Sequence, residues 1–227
     1  MRLGSEPLRG HVGHPDLHRA QALGAVALVH VPDGDPLARA AGGAGWARTS
    51  LDPWCDLDVS WRDLDGYLAT LERKQRQQVG RDERALAAAG ATVARRPLDA
   101  WAGQVLRLRL GLVARYGRRP DEAGERACLA RVAARDHLLY GASAGDRLLG
   151  FTLFVRRGDE LAAYWTGRDV ADPRSGSAYF ATTFYRPAAD APVLGVRTIR
   201  YGLGAWRAKR RCGCRLVPTS AWLRPLA

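Results

Sequence analysis

Lysine is almost missing from this chain. Of its 35 basic side chains only Lys74 and Lys209 are lysines, and the rest are arginines. Long apolar runs are missing too: none approaches the ~18 residues of a membrane span, so no span is expected. The first residues, MRLGSEPLRGHVGHPDLH, hold no apolar core of a signal peptide, so none is expected there. Cysteine is sparse. Cys212 and Cys214 form one C-x-C, and neither Cys55 nor Cys128 supplies a second pair that would complete a zinc site. The four read as reduced thiols of a cytoplasmic protein. His11, His14 and His18 invite a metal, but Pro15 interrupts the helix that such spacing would need, and no metal is expected.

What the chain has in excess is positive charge. Thirty-five basic against 23 acidic residues leave a net +12 over 227 residues. Richness in Arg, Ala and Gly fits a GC-rich genome, in which lysine drifts to arginine wherever any positive charge will serve. That bias explains Arg over Lys but not basic over acidic. The surplus points to a polyanionic partner: RNA, a nucleotide co-substrate or an acidic lipid surface. The two remaining lysines then become candidates for work that a guanidinium cannot do.

The chain divides by pattern. Residues 1–57 are short pieces punctuated by Gly, Pro and Asp. GAVALVHV reads as a buried strand stopped by PDGD, and PLARAAGGAGW as a short helix ended by Gly42 and Gly43. Residues 58–227 carry a firmer pattern. Helical spacing runs from Ser60, a plausible N-cap with Asp63 three residues on, through Leu64, Leu68, Leu71, Val79 and Leu86 to Gly90. Gln75 and Asp82 are gaps in its apolar face, and the other faces carry Arg73, Lys74, Arg76, Arg81 and Arg84. A strand (ATVARRPL) and two helices follow. The first of them buries Leu98, Trp101, Val105, Leu108 and Leu112. The period then switches to two. HLLYGASA, DRLLGFTLFVRR and ELAAYWTGRD predict an antiparallel meander with tight turns. SAYFATTFYRPAADAPVLGV reads as helical at least to Pro187. RTIRYG is a strand, LGAWRAKRRCG a helix and CRLVPTSAWL a last strand. The helix after the meander predicts a right-handed parallel crossover, with the strand at 197–201 parallel to that at 160–167.

The motifs YWTGRD, AYFATTFYRPAADAPVLGVRTIRYG and WRAKRRCGCRLVPT resemble, in that order, the C-terminal half of the Fem-type and related peptidoglycan-biosynthesis-like GNAT transferases. YLATLERKQRQQVGRDERALAAAG is similar to that family's long helix. The resemblance covers roughly residues 58–222. It implies an α+β fold of the GNAT type: a mixed, mainly antiparallel sheet with one parallel crossover, flanked by helices. Family members have two lobes. Here residues 1–57 would be a reduced remnant of the first, which a second subunit or a homodimer would complete.

The implied function is acyl transfer that forms an amide on a small amine or peptide acceptor. The resemblance assigns Lys209 to the reacting ester. There a compact ammonium on a thin stem would meet the tetrahedral oxyanion where a guanidinium would not fit. Asp169, at a strand end beside Gly167, would take the proton of the attacking amine. Tyr179 and Tyr185 stand six residues apart and do not share a helix face. Tyr185 is the one assigned to the acceptor cleft, as a donor or proton relay. Lys74, Arg73 and Arg81 would bind phosphate, and Gly202 would let the co-substrate approach the backbone. No permanently bound cofactor is expected. The segment GRDVADPRSGSAYF lacks the spacing of an acyl-CoA pyrophosphate loop. Aminoacyl-tRNA, which also suits the +12 charge, is therefore preferred to acyl-CoA as donor. The alternative reading is a non-catalytic basic module for RNA or protein, derived from such an enzyme.

Overall fold

The computed structural model of the chain describes residues 25–225, so the histidines at 11, 14 and 18 lie outside it. The chain forms two compact units. The first takes its described residues from the stretches up to Asp56, Tyr201–Arg210 and from Cys214 on, and the second is Leu57–Arg200 with Arg211–Gly213. The reading of residues 58–227 as one domain does not anticipate that the C-terminal segments group with the N-terminal ones.

In the first unit, β1 (Ala25–Pro32) leads into α1 (Pro36–Gly43). Asp35 caps α1, its side chain accepting from the Leu37 N–H at 2.8 Å, and Pro36 opens it. β8 (Arg215–Pro225) then pairs antiparallel with β1 on one side and with β2 (Ala47–Asp58) on the other. β2 escaped the sequence reading because Pro53 interrupts its pattern. The strand absorbs that proline where its register against β8 shifts, between Leu51 and Trp54.

The second unit carries the meander. β3 (Ala91–Arg96), β4 (His137–Ala144), β5 (Arg147–Arg157) and β6 (Glu160–Arg168) pair antiparallel in that order. Gly145 and Gly158 make the turns between the last three at φ 58° and 62°. α4 (Leu98–Arg115) and α5 (Glu122–Ala133) cover one face. Leu98, Val105 and Leu108 of α4 join Leu129, Phe151 and Trp165 in one buried cluster. Each such side chain is worth about 1.5–3 kcal/mol when fully buried. Trp101 and Leu112 are only half-buried. Past β6, an irregular helix returns the chain to β7 (Thr198–Gly202), which pairs parallel with β6 as predicted.

Two helices depart from their expected form. The long helix starts at Leu64 with Asp63 as its cap, accepting from Gly66 N–H at 2.8 Å, and not at Ser60. It also breaks. α2 (Leu64–Thr70) ends at Leu71 and α3 (Arg73–Ala88) begins after Glu72, both linking residues being extended. The Arg76 guanidinium donates to the freed Leu71 carbonyl, and Thr70 turns its hydroxyl back onto Tyr67 O at 2.7 Å. Gly90 follows α3 at φ 61°, the left-handed residue expected after the helix C-terminus. The crossover helix is continuous from Ser175 to Asp190 but contains a π turn. It runs as α6 (Ser175–Phe180), the π turn Ala181–Tyr185 and α7 (Arg186–Asp190). Gly150 of β5 lets it come close: a Cβ there would meet that of Ala178 at 3.2 Å.

Candidate functional site

A charge on the apolar face of an amphipathic helix marks the centre of the second unit. Asp82 of α3 is 6% exposed. Its Oδ1 accepts from Gln78 Nε2 at 3.0 Å and from Ser177 Oγ at 2.8 Å, and its Oδ2 from Tyr185 Oη at 2.8 Å. The π turn delivers Tyr185 to this carboxylate. Such π turns inside α-helices are frequent at functional sites. Burial, then the hydrogen bond to Asp82, pushes the Tyr185 phenol well above its ordinary value. Tyr185 is thus a held, buried donor, whereas Tyr179 meets the rings of Phe180 and Phe184 edge to face. Asp82 was missed as a site residue, although its gap in the apolar stripe was the available signal. The Cys212 thiol, which feels Asp82 electrostatically, is pushed up to about 12, chiefly by burial. Tyr67 Oη donates to the Cys212 carbonyl at 2.9 Å.

Beside this network lies a cleft of about 310 Å³. The Tyr185 ring forms one wall, and Leu64, Leu86, Val93 and Ala181 line it further. Glu83 and Arg186 bring charge to it.

The parallel pair is short. β6 meets β7 only from Glu160↔Thr198 to Ala162↔Arg200. β6 continues to Arg168, still paired with β5 but, among the described residues, with no strand partner on its other side. Its register against β5 shifts between Leu153 and Phe154, opposite Tyr164.

The loop from β6 into α6 is closed by its own side chains. Asp172 takes the Arg174 N–H at 2.9 Å and its Nε at 2.7 Å. These bonds, first of all that of the Arg174 side chain, draw the Asp172 carboxyl down to about 2. Asp169 accepts from Arg147 at 2.8 Å and from the Ala171 N–H at 3.3 Å, with Arg107 at 3.8 Å. Its carboxyl is lowered in consequence, mainly by Arg147. Asp169 therefore caps a turn and answers two arginines, which makes it a weaker base than a free aspartate.

Arg73, Lys74 and Arg81 are exposed on α3. Among the described residues Arg81 bonds only to Gln78 of the same helix, at 2.7 and 3.2 Å.

In the first unit, Lys209 of α8 (Trp206–Arg211) is 6% exposed. Its ammonium donates to three carbonyls: Tyr201 at 2.7 Å, Gly202 at 3.1 Å and Leu203 at 2.7 Å. The turn that presents them is wound left-handed, with φ of 63° at Gly202, 72° at Gly204 and 46° at Ala205. Burial lowers the Lys209 pKa, with Cys55 and Cys214 opposing. The expected oxyanion contact finds no unused N–H in this arrangement. Gly202 contributes its carbonyl to the lysine, and Lys209 holds the turn.

No family model matches the chain, and no curated protein matches its sequence. Solved structures do share its fold. The C-terminal domain of a putative lysylphosphatidylglycerol synthetase from Agrobacterium fabrum is similar at a TM-score of 0.65, with 13% identity over 91% of this chain and 70% of that one. FemX is similar at 0.63, with 12% identity over 91% of this chain and 75% of that one. A GCN5-related N-acetyltransferase from Sphaerobacter thermophilus reaches 0.50, with 16% identity over 91% and 61%. At such identities the likeness is one of fold. The chain has the mixed, mainly antiparallel GNAT fold, in the form also seen in FemX.

Proposed function

We propose that the chain is an acyltransferase that forms an amide on an amine acceptor, and that it takes the acyl group from aminoacyl-tRNA in preference to acyl-CoA. The observation that carries the first part is the parting of β6 from β7 after Ala162↔Arg200. It leaves a strand edge whose backbone groups can pair with an extended substrate and direct N–H groups at a developing oxyanion. The acceptor amine adds to the ester carbonyl. The tetrahedral intermediate then expels the ribose oxygen, which leaves with a proton as the tRNA hydroxyl, and the amide remains. Neighbours of the same fold are named for a lysylphosphatidylglycerol synthetase and for an N-acetyltransferase, which supports acyl transfer as the chemistry.

Two features favour tRNA. The loop before α6 is occupied by Asp172 and Asp169, so carboxylates stand where a CoA pyrophosphate would need free N–H groups. On α3, Arg73 and Lys74 lie in a first turn that has no acidic residue. That placement opposes the helix dipole and is offset when a polyanion docks. Arg73, Lys74 and Arg81 would bind its phosphates. Lys209 and Tyr185 act as positioning residues, Lys209 through the 201–205 turn and Tyr185 through Asp82.

One observation favours the non-catalytic alternative. The polar heads of Lys209, Asp169 and Tyr185 all have partners inside the protein. A basic RNA-binding module would need nothing more than the exposed arginines. Incubation with mixed aminoacyl-tRNA or with acyl-CoA, plus a panel of amines, separates the readings by mass spectrometry. Amide formed from aminoacyl-tRNA alone is expected. Turnover of acyl-CoA alone would reverse the donor assignment, and tRNA binding without amide would favour the module.

A further inference from the structure

The cleft beside Tyr185 has a lopsided charge. Its lining is largely apolar and includes Leu86 of α3, Val93 of β3 and Ala181 of the π turn. Two charges reach it. Arg186 is answered by Asp190, at 3.1 Å one turn on. Glu83 has no hydrogen bond or ion pair to any described residue. A cleft that offers a largely apolar lining and one unanswered carboxylate selects a ligand with an apolar body and a cationic head.

The walls are pre-set for a ligand. Tyr185 cannot swing away, because its hydroxyl is tied to Asp82, which Gln78 and Ser177 hold in turn. Burying a carboxylate is costly, and this one is fully used to fix a wall of the cleft. Ala181 and Tyr185, four residues apart in the π turn, both line the opening. The volume, about 310 Å³, is at the small end for ligand pockets. At about 30 Å³ per non-hydrogen atom, the share of a water in the liquid, it admits on the order of ten such atoms.

We propose that this cleft binds a small aliphatic primary amine, its ammonium on Glu83 and its hydrocarbon against Leu86, Val93 and Ala181. A carboxylate head would face Glu83 while Arg186 is already paired. A neutral head would leave Glu83 unanswered. The proposal concerns binding and does not rest on the transferase reading.

The test is titration of the full chain with hexylamine, hexanol and hexanoate at pH 7.5, followed by NMR shifts and calorimetry. Hexylamine should bind tightest and hexanoate weakest. Glu83→Gln should weaken hexylamine about fivefold, the upper end for a solvent-facing ion pair, and leave hexanol unchanged. Ala87→Trp, at an exposed helix position that lines the cleft, should block all three while circular dichroism stays that of the parent. Hexanoate binding as tightly as hexylamine would overturn the proposal. So would the absence of binding by any of them, or hexylamine affinity that ignores both substitutions.

Discussion

Tyr185 gives its phenolic hydrogen to Asp82 across 2.8 Å, between residues 103 positions apart in the chain. Both are buried. The bond ties the π turn to α3 and holds one wall of the cleft. Tyr185→Phe removes one donor and should lower stability by about 1.5–3 kcal/mol, the range for a hydrogen bond to a charged group. Asp82→Ala strands the Tyr185, Ser177 and Gln78 donors together and should cost more than that. Urea unfolding measures both. Equal, small losses would mean that water replaces the network.

Lys209 meets three carbonyls with a tetrahedral ammonium. A planar guanidinium cannot converge on all three at that depth. Lys209→Arg and Lys209→Met should each lower stability by roughly 2–4 kcal/mol, because buried carbonyls lose their partner. Hydrogen exchange should speed up across residues 201–205. An unchanged melting temperature with a collapse in turnover would instead put the ammonium at the reacting ester.

Acid should weaken the loop before α6. The Asp172 carboxyl titrates at about 2 in the folded chain against an ordinary 3.8, and Asp169 is also lowered. In that window the unfolded chain holds more protons, so stability rises with pH across it. The contribution is complete above about pH 4 and is lost as the pH falls toward 2. Asp172→Asn should flatten the slope of melting temperature between pH 4 and pH 2.5. A slope unaltered by the substitution would place the acid sensitivity elsewhere.

Thiol labelling should be selective. Cys55, Cys212 and Cys214 are buried and Cys128 is only partly so. Burial raises the Cys55 and Cys212 thiols, the latter to about 12, which leaves little thiolate to react. Iodoacetamide at pH 8 should modify Cys128 first in the folded protein and all four in guanidinium. Peptide mapping reads the order. Rapid labelling of Cys212 would show that its surroundings open.

If α3 docks RNA phosphates, affinity for tRNA should fall steeply between 50 and 200 mM salt. Neutralising Arg73, Lys74 and Arg81 together should reduce the slope of log affinity against log salt by about 2–3, close to one per lost contact. Filter binding at several salt concentrations measures it. A slope unaffected by the triple substitution would move the RNA surface off α3.

Much of the fold was legible. The meander announced itself through period-two strands and glycines at the turns, because both signals are local. The parallel β6–β7 pair followed from a helix of sufficient length between two strands. The break at Leu71–Glu72 was hidden, since leucine spacing runs straight through it. The π turn was hidden for a similar reason: no residue from Ala181 to Tyr185 is a helix breaker. β2 was masked by Pro53. Asp82 was visible as a gap in an apolar stripe, but a gap does not say whether a carboxylate is solvated or buried and triply bonded.

The sequence alone determined that two lysines had survived where arginine prevails, and that Lys209 sits in a short helix just after a glycine-rich turn. Local chemistry sets such facts: turn residues, caps and periodicities act within a few positions. The partners of that ammonium were decided by tertiary structure. They are backbone carbonyls, which are the same in every residue and leave no mark in a sequence. Only the left-handed path at Gly202, Gly204 and Ala205 aims them at one point. Tyr185 and Asp82 teach the same lesson at longer range, because a hydrogen bond over 103 residues depends on how α3 and the π turn pack.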